Sequence, residues 1–289
     1  MYLLRKMILA GLLFSAGVNM FAQESAYAYD ANGNLTKDLN KNIVDIQYNS
    51  LNLPSRIVFK NGDNISHVYS ADGSKLRTVW VADGDTLTTD YCGNVIYENG
   101  VPVRLMTDVG YIALSDTSYH YFIKDHQGNV RVVADEHGNA EEVNDYYAFG
   151  GLMSTSSRQS VQPYKYNGKE LETACGVNWY DYGARRYDPV LGRWNGVDPL
   201  CEDYYSENPY GYCGNNPVNY VDPNGLMKVL YNPDGTYKET THNNWFHNTF
   251  MGRQEYIDYG DRKVHLSESE FWQWQRLSLI HISEPTRRS

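Results

Sequence analysis

Residues 178–226 read NWYDYGARRYDPVLGRWNGVDPLCEDYYSENPYGYCGNNPVNYVDPNGL, and they constrain the fold more than any other stretch. Three Asp-Pro pairs divide it: Asp188-Pro189, Asp198-Pro199 and Asp222-Pro223. Proline fixes φ and removes a backbone donor, and it pushes the residue before it toward an extended conformation. A helix therefore has little room between the pairs. The Tyr-rich runs that separate them read as short strands joined by turns. The chain as a whole carries 26 Tyr and 24 Gly in 289 residues, which extends that all-β expectation beyond this stretch.

Upstream, a loose repeat begins. YDANGNLTK, YNSLNLPSRI and YSADGSKLRTV start at Tyr29, Tyr48 and Tyr69, 19 and 21 residues apart. Each sets a Tyr before a polar turn and an apolar strand. A period of about 20 residues is the mark of an array whose units share one core. Asn32-Gly33 and Asp72-Gly73 are hairpin turns, because Gly takes positive φ without strain. Asp83-Gly84 and Asn99-Gly100 continue the rhythm, and residues 119–150 resume the Tyr phase. His126 and His137 each sit in a Gly-containing turn, so they read as solvated turn residues rather than metal ligands. Residues 151–163 are Ser-rich and predict a surface loop. One short helix is expected near Lys169 and Thr173.

IKDHQGNVRVV, ARRYDPVLGRWNGVDP and NPYGYCGNNPVNYVDPNGL together resemble the core domain that ends Rhs (YD-repeat) proteins. The likeness covers roughly residues 121–226, and the YDANGN form extends it to about Tyr27. It implies a YD-repeat β-sheet array, part of an Rhs-type shell, over residues 24–118. The core domain would follow over 119–226, then a variable, small α+β C-terminal segment over 227–277. In the family such a segment is often a toxin. Here the repeats are only a handful, too few to close a shell around a cargo.

The flanks carry other signals. Arg5 and Lys6 precede an apolar run over residues 7–18 and a small-residue exit near Ala22. That is the layout of a secretory signal peptide over residues 1–23, and the run is too short to span a membrane. Export to the periplasm, cell surface or medium is expected, with no integral membrane span. Cys92, Cys175, Cys201 and Cys213 would then meet an oxidising compartment, and both disulfides and buried thiols stay open. No CxxC pair suggests zinc. The net charge of −10 argues against a nucleic-acid partner. In the C-terminal segment, Ser267 and Glu270 have capping-box spacing for a helix, and His242 and His247 miss the i, i+4 metal spacing. Residues 278–289, SLIHISEPTRRS, resemble translated sequencing-adapter sequence and are excluded from fold reasoning.

Chemistry centres on the Asp-Pro set. Two carboxylates held close share a proton, so that one activates water while the other protonates the carbonyl. The Rhs resemblance implies such a pair cutting the core domain's own chain after a DPxGL motif. Carried onto this sequence, Asp188 and Asp198 would be the carboxylates and Arg186 their charge partner. The cut would fall between Leu226 and Met227, after Asp222, Pro223 and Gly225. Each Asp also has a purely structural use, capping its own turn while Pro fixes φ. No GxSxG, HExxH or phosphate loop is present, and no cofactor or metal is expected. Two functions follow. One is the secreted carrier portion of a polymorphic toxin or competition protein, with a cargo segment or an immunity protein as partner. The other is a non-enzymatic surface protein whose aromatic strands bind a cell-surface glycan or protein.

Overall fold

Polar turns flanked by alternating apolar residues define the architecture. The computed structural model describes residues 25–157, 161–203, 206–226 and 228–231, with short strands at 237–240, 256–258 and 263–265. Thirteen strands, from β1 (Tyr27–Tyr29) to β13 (Ala140–Val143), form one antiparallel sheet in strict sequence order. The sheet runs unbroken through residues 118–119. Among the described residues there is no α-helix, and the all-β expectation holds.

The repeat has a local cause. In DANGN, Asp30 accepts from the backbone N–H of Asn32 at 2.9 Å and of Asn34 at 2.8 Å, and from the Asn34 side chain at 3.0 Å. Asp125 with Asn129, and Asp135 with Asn139, repeat the same three-bond turn. Gly33 sits at φ 79°, where an L side chain would be strained. His126 and His137 occupy exposed positions of two of these turns.

A second sheet lies against the first: β14 (Glu170–Glu172), β15 (Trp179–Asp181), β16 (Arg186–Asp188) and β17 (Arg193–Trp194). The helix expected near Lys169 is instead β14. Glu170 and Glu172 pair across the ladder with Asp181 and Trp179, and Leu171 points into the core. Alternation of one buried apolar residue between two acids suits a strand better than a helix. The Ser-rich loop is not wholly superficial either. Gln162 is buried and donates to Glu142 at 3.0 Å.

Two clusters hold these sheets. Leu35, Ile43, Ile57, Phe59 and Ile65 pack against Val177 and Trp179. Tyr166, Tyr180, Tyr182, Tyr187, Trp194 and Tyr212 form the second. Burying each such ring contributes about 1.5–3 kcal/mol, provided its hydroxyl finds a partner. Tyr166, Tyr187 and Tyr180 donate to the carbonyls of Ala148, Phe149 and Gly150 at 2.9–3.0 Å. Tyr182 and Tyr212 both donate to Asn167 Oδ1 at 2.7 Å. For Tyr166, Tyr180, Tyr182, Tyr187 and Tyr212, tyrosine is thus core chemistry.

Ionic contacts also cross between the sheets. Lys75 lies 2.8 Å from Glu170 and 2.7 Å from Asp181, and within the second sheet Arg186 pairs with Asp181. Burial, helped by Arg186 and Lys75, holds His67 well below its ordinary value. Its 3.4 Å approach to Glu172 is therefore a neutral contact rather than an ion pair. All four cysteines are free thiols, with Cys213 buried and Cys92 exposed. No helix among the described residues is long and apolar enough to cross a membrane, which says nothing of a β-barrel. Residues 1–23, where a signal peptide is expected, and His242, His247, Ser267, Glu270 and the tail lie outside the described residues.

Candidate functional site

Arg185 lies in the bend just before β16 and Arg186 is the first residue of that strand, and their side chains take different partners. Arg186 turns toward the first sheet, to Asp181 and to the Tyr69 hydroxyl at 3.2 Å. Arg185 turns the other way. Its Nη2 lies 2.8 Å from Asp198 Oδ2 and 3.5 Å from Asp222 Oδ2. Its Nε donates to the carbonyl oxygen of Gly225 at 2.6 Å, and Nη1 to that of Pro209 at 3.3 Å. The guanidinium also stacks over the Trp194 ring at 4.2 Å.

The three Asp-Pro aspartates therefore divide differently from the sequence expectation. Asp188 serves structure: it accepts from Val190 and Leu191 N–H at 2.8 and 3.2 Å, from Trp179 Nε1 at 3.1 Å, and faces Lys41 at 3.2 Å. Asp198 caps its own turn through Leu200 N–H at 2.8 Å and meets Arg185 with its other oxygen. Asp222 accepts from the N–H groups of Gly225 at 2.7 Å and of Asn224 and Leu226 at 3.2 Å. Arg185 thus joins Asp198 to Asp222, whereas Asp188 and Arg186 take partners elsewhere. The sequence alone places Asp222 only in the cleavage motif and does not single out Arg185. No local signal marks Arg185, because its partners Asp198, Asp222 and Gly225 are 13 to 40 residues away in the chain.

Electrostatics single out Asp222. Burial pushes its carboxyl up to about 6, with Arg185 and the Gly225 and Asn224 amides pulling it back and Asp198 adding to the rise. Burial likewise lowers Arg185 from its ordinary value, opposed by the two carboxylates. A cavity of about 30 Å³ adjoins them, lined among others by Arg185, Asp198, Asp222, Leu226 and Lys228. That is room for a water molecule with several polar partners. A protonatable carboxyl, a second carboxylate and space for water can perform general acid–base hydrolysis. No group of His, Cys, Asp and Glu among the described residues is arranged to hold a metal ion. Met227, on the far side of the expected cut, lies outside the described residues.

No family model matches the chain. It is 29% identical over 233 residues to salivary gland surface protein 1 of Aedes aegypti, covering 72% of this chain and 7% of the relative. It is 26% identical over 225 residues to the tRNA nuclease WapA of Bacillus subtilis, covering 70% and 9%. It is 36% identical over 116 residues to toxin subunit YenC1 of Yersinia entomophaga, covering 39% and 12%. The chain therefore spans only a small part of these relatives. Among solved structures it is similar to TcdB2–TccC3, with TM-score 0.56 and 21% identity over 68% of this chain and 11% of that one. A Tc holotoxin pore of Photorhabdus luminescens gives TM-score 0.59 and 21% identity over 71% and 11%. The fold is shared with Tc toxin components, and the relatives support an Rhs-like affiliation.

Proposed function

We propose that this chain is the exported carrier portion of an Rhs-like toxin and that it cuts itself after Leu226. The observation that carries the reading is the bridge from Arg185 to both Asp198 and Asp222, with the same side chain gripping Gly225. Asp222, with its raised pKa, would supply the proton, and Asp198 would accept one from the attacking water. Water adds to the Leu226 carbonyl carbon, the Leu226–Met227 C–N bond breaks, and the proton passes to the departing Met227 amine. The products are a Leu226 carboxylate and a new N-terminus at Met227. Intact mass of the exported protein beside Asp222→Asn tests this. The likeness to toxin subunits and to a tRNA nuclease supports a cargo beyond residue 226 and an immunity protein as its partner. It also supports association with other toxin components.

A second reading rests on a separate feature. Tyr119, Tyr121 and Ile123 alternate along β11 (Tyr119–Lys124) and are 47%, 42% and 54% exposed on one face. An aromatic face of this kind could stack on sugar rings. Retention of the purified chain on immobilised cell-surface glycans, lost in Tyr119→Ala/Tyr121→Ala, would favour this non-enzymatic role.

A further inference from the structure

The strands β18 (Tyr220–Val221) and β19 (Val229–Tyr231) pair antiparallel, with Tyr220 opposite Leu230 and Val221 opposite Val229. The segment that joins these strands runs from Asp222 to Lys228 and in sequence contains the Leu226–Met227 bond, of which Leu226 is among the described residues. Arg185 holds the upstream side of that bond through Gly225. Downstream of that bond, Lys228 has its own contacts. Lys228 pairs with Glu207 and lies 5.7 Å from the Tyr220 ring, and it lines the same cavity as Arg185, Asp198 and Asp222.

Gly214 packs beneath this pair. A Cβ on Gly214 would stand 2.9 Å from Lys228 Nζ and 3.2 Å from Glu207 Oε2, and Gly214 has φ +59°. The Lys228 side chain is 13% exposed and Glu207 34%, so the contact is more shielded than a surface ion pair, which is usually worth little. Next along the chain, Val229 is buried.

We infer that Glu207 is a positioning residue for self-cleavage: by fixing Lys228, two residues past the cut, it holds the scissile bond against the Arg185 site and makes a basic residue there part of the recognised sequence. This rests on the self-cleavage reading. A peptide clamped on both sides reaches a near-attack geometry without further ordering, and a shift of about 1 Å can cost about a hundredfold in rate.

The test follows first-order processing of freshly folded full-length chain by intact mass. Glu207→Lys and Lys228→Glu should each slow the cut about tenfold or more, and the double charge reversal should return it to near the original rate. Rescue by reversal is a result that general loss of folding does not give. Trypsin supplies a second readout on the uncleaved Asp198→Asn protein. The Lys228–Val229 bond should resist digestion, and Glu207→Gln in that background should expose it. Single reversals that cut at the unmodified rate, or equal tryptic cleavage with and without Glu207, would overturn the positioning role while leaving self-cleavage intact. An unmodified chain that never cuts would overturn the self-cleavage reading itself, and the positioning role with it.

Discussion

Arg185 donates from Nε to the carbonyl oxygen of Gly225 at 2.6 Å, one peptide upstream of the Leu226–Met227 bond. The same guanidinium contacts Asp198 and Asp222. Placement of the chain and control of the carboxylates therefore depend on one side chain, buried against Trp194.

Removing it should damage both at once. Arg185→Ala leaves Asp222 buried without its cation, a change that costs about 3–5 kcal/mol when one partner of a buried pair is lost. Chemical denaturation should report a destabilisation of that order, and intact mass should report no processing in the fraction that folds. Asp188→Asn is expected to behave differently. It weakens the turn at Val190 and the contact with Lys41, for a loss of about 1–3 kcal/mol, and the folded protein should still be cut.

The Asp222 carboxyl gives a pH signature. Its folded value of about 6 lies above the ordinary 3.8, so the folded state binds the proton more tightly than the unfolded chain. Stability from this group is therefore fully present below about pH 4 and is lost as pH rises through about 6. Two units correspond to at most about 3 kcal/mol. The difference in stability between the unmodified protein and Asp222→Asn should change by up to that amount between pH 4 and 7. Processing should slow above about pH 6, where the donor is ionised.

Asn167 is the shared acceptor for the hydroxyls of Tyr182 and Tyr212. The two hydroxyls also lie 3.2 Å apart, so in Asn167→Ala one donates to the other and one is left without an acceptor, at about 1–3 kcal/mol. A loss of that order in urea unfolding is expected. Tyr212→Phe, which removes one donor and leaves the acceptor in use, should cost about 1 kcal/mol.

Lys165 and Glu142 form a buried pair, with Gln162 bound to both. Lys165→Met alone leaves the Glu142 charge uncompensated and should cost about 3–5 kcal/mol. Adding Glu142→Gln should recover much of the loss, a coupling that a double-mutant cycle measures directly.

Some of this was legible in the chain and some was not. The DANGN, DHQGN and DEHGN turns are local: one Asp bonds to atoms within four residues, so the pattern appears in the sequence and fixes the hairpins that follow. The antiparallel order of the first sheet follows from those turns. The sequence near Lys169 reads as a helix although it forms β14, because three residues carry too little periodicity to separate the two and their ladder partners lie 7 to 11 residues on. The site was half legible. The Asp-Pro set was visible, but which two aspartates meet depends on which way Arg185 turns and on the hairpin that folds Asp222 back. Neither is a local property. Glu207 was unreadable for the same reason: its partner is 21 residues distant.

The most direct test of the central claim is intact mass of the full-length chain, run beside Asp198→Asn and Asp222→Asn. Two fragments joining at Leu226 and Met227 in the unmodified protein, and a single uncut mass in both variants, are the predicted results. A single mass for all three, or fragments that persist in folded Asp222→Asn protein, would contradict the assignment of Asp198, Asp222 and Arg185 as the cutting site.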